Sequence, residues 1–223
     1  MRFLVTSGPT YEPLDQVRRL TNFSTSKLGT ELANYLSETD HSVTLLQGFY
    51  STHSEPSCAE ITLEFTTTQN LLDRLKQCSN DSFDAVFHAA AVSDFGFGKV
   101  FRKTTNGLEE MTSGKFSTRE GTLLAELVPT QKLISEMRML FPKAKIFGWK
   151  YDVDGTHEGA IALGLQQIQE NRTDYSIVNG PAYGHGFGIV SASGQNLHCL
   201  VPADLYRELL RLVSVNPLKP SAA

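Results

Sequence analysis

The chain has 223 residues, 40% of them hydrophobic and 20% charged, with a net charge of −4. A chain of this size can bury one sizeable core, so we expect a single domain over residues 1–215, followed by a frayed tail at 216–223. The near balance of charge gives no global field that would attract nucleic acid or a membrane surface, and no apolar run approaches the ~20 residues that span a bilayer.

Short apolar runs alternate with helical patterns along most of the chain. The apolar runs predict strands at 2–6, 43–47, 61–66, 84–89, 145–149 and 175–178. Apolar residues at helical spacing predict helices at about 26–38, 68–78, 129–141 and 157–171. This alternation is typical of an α/β fold with a doubly wound, mostly parallel, Rossmann-like sheet.

The later part of the chain contains two departures from this alternation. Runs at 186–191 and 196–201 flank a Ser-Gly-Gln turn, which predicts a small antiparallel hairpin before a last helix at 203–213. Residues 95–122 are rich in glycine and charge, with weak periodicity. So long a loop is usually either a functional flap or a disordered segment, and both interpretations remain open.

The loop after the first strand is the first candidate site. In a doubly wound sheet this loop lies at the carboxyl edge, where ligands bind. Ser7, Gly8 and Thr10 offer hydroxyls and exposed amides that suit a phosphate or a ribose, although the dinucleotide fingerprint GxGxxG is absent. The alternative is a tight turn at the strand exit with no ligand.

Residues 11–29 place cations and hydroxyls just before a predicted helix. They include Arg18, Arg19, Asn22, Ser24, Thr25 and Lys27. The first turn of a helix has free backbone N–H groups, and guanidinium groups beside it complete an anion site. Alternatively, Ser24 or Thr25 serves only as the N-cap of that helix.

The fourth predicted strand ends in three alanines. Ala90 and Ala91 leave space at the carboxyl edge in which a flat ligand can lie, and Asp94 is placed to accept from a ribose hydroxyl or to hold Mg²⁺. The alternative is that the alanines admit a helix and that Asp94 is a cap. His88 is interpreted as a packed or edge histidine, because no second metal-type residue has suitable spacing, and we assign no protein metal ligands.

Five blocks of the sequence carry a family resemblance. They are VTSGPTYEPLDQVRRLTNFSTSKLG, DAVFHAAAVSDF, SGKFS with ELVPTQKLI, FGWKYD and DYSIVN. In this order they resemble the signature of phosphopantothenoylcysteine synthetases, also called phosphopantothenate–cysteine ligases, in which SGGT leads to V-R and then to N-x-S-S-G-x-x-G. The resemblance extends over roughly residues 2–213 and covers the synthetase half of the family.

The resemblance implies a ligase of coenzyme A biosynthesis. Such an enzyme joins 4'-phosphopantothenate to cysteine through an acyl-nucleotide, using CTP or ATP with Mg²⁺. The implied catalytic residues are Asn22 for the acyl-nucleotide step, Arg18 in the pocket and Lys115, which closes on the active site from the flap. The implied nucleotide-binding residues are Ser7, Gly8, Thr10, Ser24, Ala90, Ala91, Asp94, Lys150 and Asn179.

The sequence departs from the family pattern in the segments that handle phosphate. Pro9 replaces the second glycine of SGGT and so removes a backbone N–H. Ser26 replaces the glycine of the serine-serine-glycine turn, and the helix at 157–171 lacks the usual lysines. A divergent nucleotide-binding member without catalysis is therefore the main alternative. A short-chain reductase is disfavoured, because no tyrosine has a lysine four residues later.

Partners and location follow from the same resemblance. The family commonly forms homodimers, and the predicted hairpin at 186–201 can supply an interface edge. The flavin-binding decarboxylase domain of many bacterial members is absent from this sequence, so we expect a separate decarboxylase. Three cysteines in neither a metal-binding nor a paired pattern, and no signal-peptide core at the start, favour the cytoplasm.

Overall fold

The computed structural model of the chain describes residues 1–214, so the predicted tail at 216–223 lies outside the described residues. The strands are β1 (Arg2–Pro9), β2 (Tyr11–Pro13), β3 (Arg19–Thr21), β4 (Ser42–Gly48), β5 (Ile61–Phe65), β6 (Ala85–Ala91), β7 (Phe95–Thr104), β8 (Gly107–Met111), β9 (Leu123–Pro129), β10 (Lys145–Tyr151), β11 (Tyr175–Asn179), β12 (Phe187–Ser191) and β13 (Asn196–Cys199). The helices are α1 (Lys27–Glu38), α2 (Thr68–Cys78), α3 (Met137–Leu140), α4 (His157–Asn171) and α5 (Pro202–Ser214), with 3₁₀ turns at Thr118–Glu120 and Leu133–Glu136.

Eight strands form the main sheet in the order β13-β12-β11-β10-β6-β1-β4-β5. The six strands from β11 to β5 run parallel, whereas β12 and β13 are antiparallel to their neighbours. The chain first adds strands on one side of β1 and then returns to add β6 on the other side. Such a reversal creates a crevice at the carboxyl ends of β1 and β6. The predicted α/β, doubly wound, mostly parallel sheet is confirmed.

Helices cover both faces of the main sheet. Buried side chains of α1 and α5 pack against one face, where the core includes Val5, Phe87 and Phe147. Buried side chains of α2 and α3 pack against the other face, and α4 covers the part of that face beside β11 and β12. The burial of these large apolar residues is the main favourable contribution to folding. Among the described residues, no helix has the length and apolar character needed to cross a membrane.

The alternative that residues 95–122 are a disordered loop is wrong, whereas their role as a functional flap stays a prediction. Strands β7, β8 and β9 form a three-stranded antiparallel sheet in the order β8-β7-β9, which we call the arm (residues 95–129). A two-residue turn joins Thr104 to Gly107, whose φ of 127° is accessible to glycine without strain. Cross-strand ion pairs join Lys99 to Glu110 and Arg102 to Glu109.

The single helix predicted at 129–141 is confirmed only in part. Pro129 ends strand β9, and only the 3₁₀ turn at Leu133–Glu136 and the short α3 are helical. The buried residues Leu133, Met137 and Phe141 explain the apolar spacing that suggested a longer helix. The segment before them is extended because it pairs with β7.

The predicted C-terminal hairpin is present as β12 and β13. It is not a separate appendage, because β12 pairs with β11 and the hairpin continues the main sheet to its edge. Helix α5 follows at once and packs back on the core through Leu205, Leu209 and Val213. The last helix is thus confirmed, with bounds one residue wider at each end than predicted.

Candidate functional site

The candidate site lies at the carboxyl edge of the main sheet. Here Gly8 of β1 pairs with Ala90 of β6, and Tyr151 of β10 pairs with Asn179 of β11. Lys150 lies two residues beyond Gly148, which pairs with His88. The structure therefore brings the predicted residues of four parallel strands to one edge. The terminal alanines of β6 are half-buried and form part of this surface.

The loop after β1 is tightly packed against its neighbours. Gly8 has a φ of +87°, and a Cβ at this position would lie 2.5 Å from the Ser51 hydroxyl oxygen. The buried Ser7 hydroxyl donates to the Ser26 carbonyl at 2.9 Å, and the buried Thr10 hydroxyl oxygen accepts from the Ser93 N–H at 2.8 Å. The side chains of Ser7 and Thr10 thus shape the loop, and their contact with a nucleotide stays a prediction.

Helix α1 begins directly beside this loop. Its N-cap residue is Ser26, so the alternative that Ser24 or Thr25 is the N-cap is wrong, although the Thr25 hydroxyl oxygen accepts from the Lys27 N–H at 3.3 Å. Ser26 has a φ of 74°, a left-handed conformation that glycine adopts at little cost. Its Oγ lies 2.7 Å from Ser7 Oγ, and these hydroxyl contacts offset part of the backbone strain.

Asn22 lies over the end of β6. Its side chain is exposed, and Nδ2 donates to the Ala91 carbonyl at 2.9 Å. This bond uses one of the two amide hydrogens and leaves the other, together with Oδ1, for a ligand. The side chain is therefore oriented at the crevice between β1 and β6. Phe23 follows it and is fully exposed.

Arg18 contacts the segment of the arm that carries Lys115. The Arg18 guanidinium donates from Nη2 to the Phe116 carbonyl at 2.5 Å and lies 3.7 Å from the Asp15 carboxylate. Lys115 is exposed and precedes the buried Phe116. The structure thus brings two of the three predicted catalytic residues into neighbouring loops, although they are 97 positions apart in the sequence.

A second part of the edge surrounds Asn179. An open cleft of about 500 Å³ is lined by Tyr151, Asn179, Gly180, Pro181, Gly184, His185, Gly186, Phe187, Leu200, Val201 and Pro202. Asn179 Oδ1 is buried and has no hydrogen-bond partner within residues 1–214. The Asp152 N–H donates to the Asn179 carbonyl at 2.9 Å, which ties the loops after β10 and β11 together. Asp94 is exposed beyond β6, near the arm.

His88 is packed inside the sheet, as predicted. Its Nδ1 lies 2.8 Å from Thr6 Oγ1, which accepts from the Ala90 N–H at 3.2 Å. Burial lowers the pKa of His88 from 6.5 to about 4, because an imidazolium inside the core would lose its hydration. His88 is therefore neutral at physiological pH and supports the backbone under the site.

The sequence interpretation missed Asp15. This side chain accepts from the N–H groups of Val17, Arg18 and Phe116 and so links the loop of Arg18 to that of Lys115. The signal was present, because aspartate within a Pro-Leu-Asp-Gln segment is a common Asx-turn residue. The bonds that Asp15 accepts within its own turn are a local feature, but its bond to Phe116 is not visible in a local pattern.

A potential cation-binding group lies outside this edge. Within the described residues, Glu31, His53 and Glu55 have ligand atoms within 4.8 Å of one another. Glu31 already accepts from the Tyr206 hydroxyl at 2.9 Å, and His53 lies 3.3 Å from Glu55. We assign this group to local ion pairing, because each member has a protein partner.

Comparison with known proteins gives consistent matches. The family model of the DNA/pantothenate metabolism flavoprotein C-terminal domain matches residues 1–189. A coenzyme A biosynthesis bifunctional protein CoaBC from Thermococcus kodakarensis is 30% identical over 210 residues, which cover 93% of this chain and 48% of the relative. The CoaBC protein of Mycobacterium tuberculosis is 33% identical over 196 residues, which cover 86% of this chain and 45% of the relative. The chain thus spans about half the length of these relatives.

Solved structures share the fold. The DNA/pantothenate metabolism flavoprotein from Streptococcus pneumoniae superimposes with a TM-score of 0.81 at 24% identity, covering 96% of this chain and 98% of that one. A Cab2 variant in complex with phosphopantothenate-cysteine superimposes with a TM-score of 0.68 at 18% identity, covering 96% of this chain and 89% of that one. At these identities the likeness establishes a common architecture.

Proposed function

Because the chain belongs to the family of the DNA/pantothenate metabolism flavoprotein C-terminal domain, we propose that it is a phosphopantothenate–cysteine ligase of coenzyme A biosynthesis. The observation that carries the proposal is the position of Asn22, whose side chain donates to the Ala91 carbonyl at the end of β6, next to the end of β1. The bond from the Arg18 guanidinium to the carbonyl of Phe116, the residue after Lys115, links the other two predicted catalytic residues. The names of the CoaBC relatives and of the complex with phosphopantothenate-cysteine support this choice of reaction.

The proposed reaction has two steps. The carboxylate of 4'-phosphopantothenate attacks the α-phosphorus of CTP or ATP, so that pyrophosphate leaves and an acyl-nucleotide forms. The amine of cysteine then attacks the acyl carbon, the nucleoside monophosphate leaves and the amine loses a proton. Mg²⁺, when bound, supplies neutralisation of the triphosphate charge. Asp94 is the exposed carboxylate that would hold it, since Mg²⁺ is usually bound by one or two carboxylates plus substrate phosphates.

The residues of the chain divide the remaining work. Arg18 and Lys115 offset phosphate charge, and Asn22 donates to the oxygen on which charge develops. Gly8, Ala90 and Ala91 allow the nucleotide to approach the sheet closely. The free backbone N–H groups at the start of α1, after Ser24, bind its phosphates. Lys150 and Asn179 lie on the nucleotide side. Sustained release of pyrophosphate that requires all three substrates would support the proposal, because without cysteine the reaction stops at the acyl-nucleotide after one turnover. No release with either nucleotide would refute it.

A second candidate is a nucleotide-binding member without catalysis. It is favoured by Pro9, which offers no N–H to a phosphate, and by α4, which contains neither lysine nor arginine. In α4, Gln167 instead serves the fold by donating to the Trp149 carbonyl at 3.1 Å and accepting from the Ser176 hydroxyl at 2.7 Å. Equal affinity for nucleoside monophosphate and triphosphate, without turnover, would favour this candidate.

We also propose that the protein is a cytoplasmic homodimer. The arm exposes several large apolar side chains, namely Phe95, Leu108, Leu124, Leu127 and Val128. Exposed apolar clusters of this kind mark protein interfaces. The free thiols of Cys58, Cys78 and Cys199 are compatible with a reducing compartment.

Sedimentation tests the dimer. The wild type should sediment as a dimer at micromolar concentration, and Leu127→Glu should dissociate it, because a charge buried in an interface is costly. Leu197→Glu places the same charge on β13 and serves as the matched variant. Dissociation by Leu197→Glu alone would place the interface on the hairpin predicted from sequence, and a monomeric wild type would remove the dimer.

A further inference from the structure

Two loops that are far apart in the sequence are joined by hydrogen bonds. The Gln16 N–H donates to the Gly114 carbonyl at 3.1 Å, and the Phe116 N–H donates to Asp15 Oδ2 at 3.3 Å. The Arg18 guanidinium donates to the Phe116 carbonyl at 2.5 Å. These three hydrogen bonds, which we call the clamp, hold both sequence neighbours of Lys115 against the turn at 14–18.

Asp15 is the residue that unites the two halves of the clamp. Its side chain has no solvent-exposed area. Oδ1 accepts from the N–H groups of Val17 at 2.8 Å and Arg18 at 2.7 Å, while Oδ2 accepts from Phe116. One oxygen thus shapes the turn and the other holds the distant segment. The loss of Oδ2 leaves the Phe116 N–H without its partner, which is costly for a buried donor.

The Asp15 carboxylate is kept ionised by its surroundings. Burial raises its pKa, but the three backbone N–H groups and the Arg18 guanidinium lower it and prevail, so the pKa lies below its ordinary value. Hydrogen bonds to an ionised acceptor are stronger than bonds between neutral groups. The clamp should therefore persist across the neutral range and be lost only in acid.

The segment around Lys115 depends on the clamp for its position. The hydrogen bonds of the Ser113 hydroxyl are local, because it donates to the Lys115 carbonyl at 2.8 Å and accepts from the Lys115 N–H at 3.3 Å. The segment is otherwise exposed, apart from the buried Phe116. A lysine on an unanchored loop must lose conformational freedom each time it engages a substrate, which lowers the rate of a reaction that needs it in place.

We propose that Asp15 is a positioning residue, which fixes the segment at 114–116 so that Lys115 is presented beside Arg18. The inference deepens the proposed ligase function and rests on it for the role of Lys115. The clamp itself is a statement about structure, and it can be measured without any activity.

Limited proteolysis tests the clamp directly, because trypsin cleaves after Lys115. In Asp15→Asn, the amide retains an oxygen for the turn and places an NH₂ group opposite the Phe116 N–H. We expect cleavage between Lys115 and Phe116 to become about tenfold faster, as the local opening becomes more favourable. Asp81→Asn removes an exposed carboxylate far from the clamp and should leave the cleavage rate unchanged. Mass spectrometry identifies the cut.

A double-mutant cycle tests the positioning role. If Asp15 acts through Lys115, Asp15→Asn lowers kcat about tenfold in the wild type but has little further effect in Lys115→Ala, because the two residues act as a unit. If the losses of kcat in the two single variants multiply in the double variant, the proposal is overturned, since Asp15 then acts elsewhere. Should Asp15→Asn fold poorly, Asp15→Ser keeps an oxygen for the turn amides and lacks the one for Phe116.

The outcomes separate the two claims. Unchanged cleavage at Lys115 in both Asp15 variants overturns the clamp, whatever the activity. A wild type that releases no pyrophosphate with CTP or ATP refutes the ligase function, and with it the positioning of Lys115 for catalysis, while faster cleavage in the variants still supports the clamp. Faster cleavage together with a non-additive loss of kcat supports the whole inference.

Discussion

Replacing Asn22 with alanine should lower the rate of pyrophosphate release about a hundredfold, the usual cost of removing one donor from a site where charge develops. The structure explains why this side chain is suited to the task. Its Nδ2 is fixed by the Ala91 carbonyl at 2.9 Å, so its remaining amide hydrogen points in one direction before the substrate arrives. A preorganised donor needs no rearrangement during the reaction.

The matched control is Asn80→Ala. Asn80 is exposed, and its Nδ2 donates to the Gln77 carbonyl at 3.1 Å, so the same type of bond is lost at the end of α2. This variant should keep the full rate. The rates of both variants are measured at saturating substrates. Their affinities for nucleotide are measured by calorimetry, so that a loss of rate is distinguished from a loss of binding. A loss of less than about threefold in Asn22→Ala would be too small for an electrostatic role of the kind proposed.

Acidification should destabilise the protein through His88. The pKa of His88 is about 4 in the folded state and close to 6.5 in the unfolded chain. The unfolded state therefore binds the proton more readily, and the free energy of unfolding falls as the pH decreases from 6.5 to 4. A difference of this size corresponds to a loss of about 3 kcal/mol once both states have titrated.

Urea unfolding at several pH values measures this effect, with His88→Asn as the comparison. Asparagine places a polar atom near the position of Nδ1, facing Thr6, but it does not titrate. The variant should be less stable at pH 7, yet its stability should fall less between pH 6.5 and 4 than that of the wild type. If the free energies of unfolding of the two proteins fall in parallel as the pH decreases, His88 does not carry the pH dependence.

The central strands of the main sheet were predictable because most of their residues are buried on both faces. Runs such as Phe3–Val5 have no exposed area, and they appear in the sequence as continuous apolar segments. The order of the strands could not be derived from these runs, since it depends on packing between elements. The alternation of strands and helices was sufficient to predict the doubly wound class.

The strands of the arm were missed because they bury little apolar surface. Charged residues on β7 and β8 pair across the strands, and most side chains of β8 and β9 are exposed, so apolar periodicity is weak. The Asn106-Gly107 pair was a hairpin signal that the glycine-rich composition obscured. The helix predicted at 129–141 fails at its start, because Pro129 is the last residue of β9 and pairs with Phe95 of β7.

The candidate site was predictable where it follows strand ends, as at Gly8, Ala90 and Asn179. The conformation of Ser26 and the position of Asp15 were not predictable, since a left-handed serine and a bond spanning 101 residues leave no periodic trace. Both departures concern the connections between loops. Tertiary contacts decide them, and a single sequence does not encode these contacts as a local pattern.

The arm leaves and rejoins the body of the protein at nearly one point. The Thr130 N–H donates to the Asp94 carbonyl at 2.9 Å, and the Thr130 hydroxyl donates to the Ser93 carbonyl. Its two ends are closed by their own bonds, independently of what lies between them. The arm is therefore held at two places, at its ends and at the clamp. Only the hairpin between β7 and β8 lies outside both, so its length and surface can be exchanged while the crevice and the parallel strands keep their geometry.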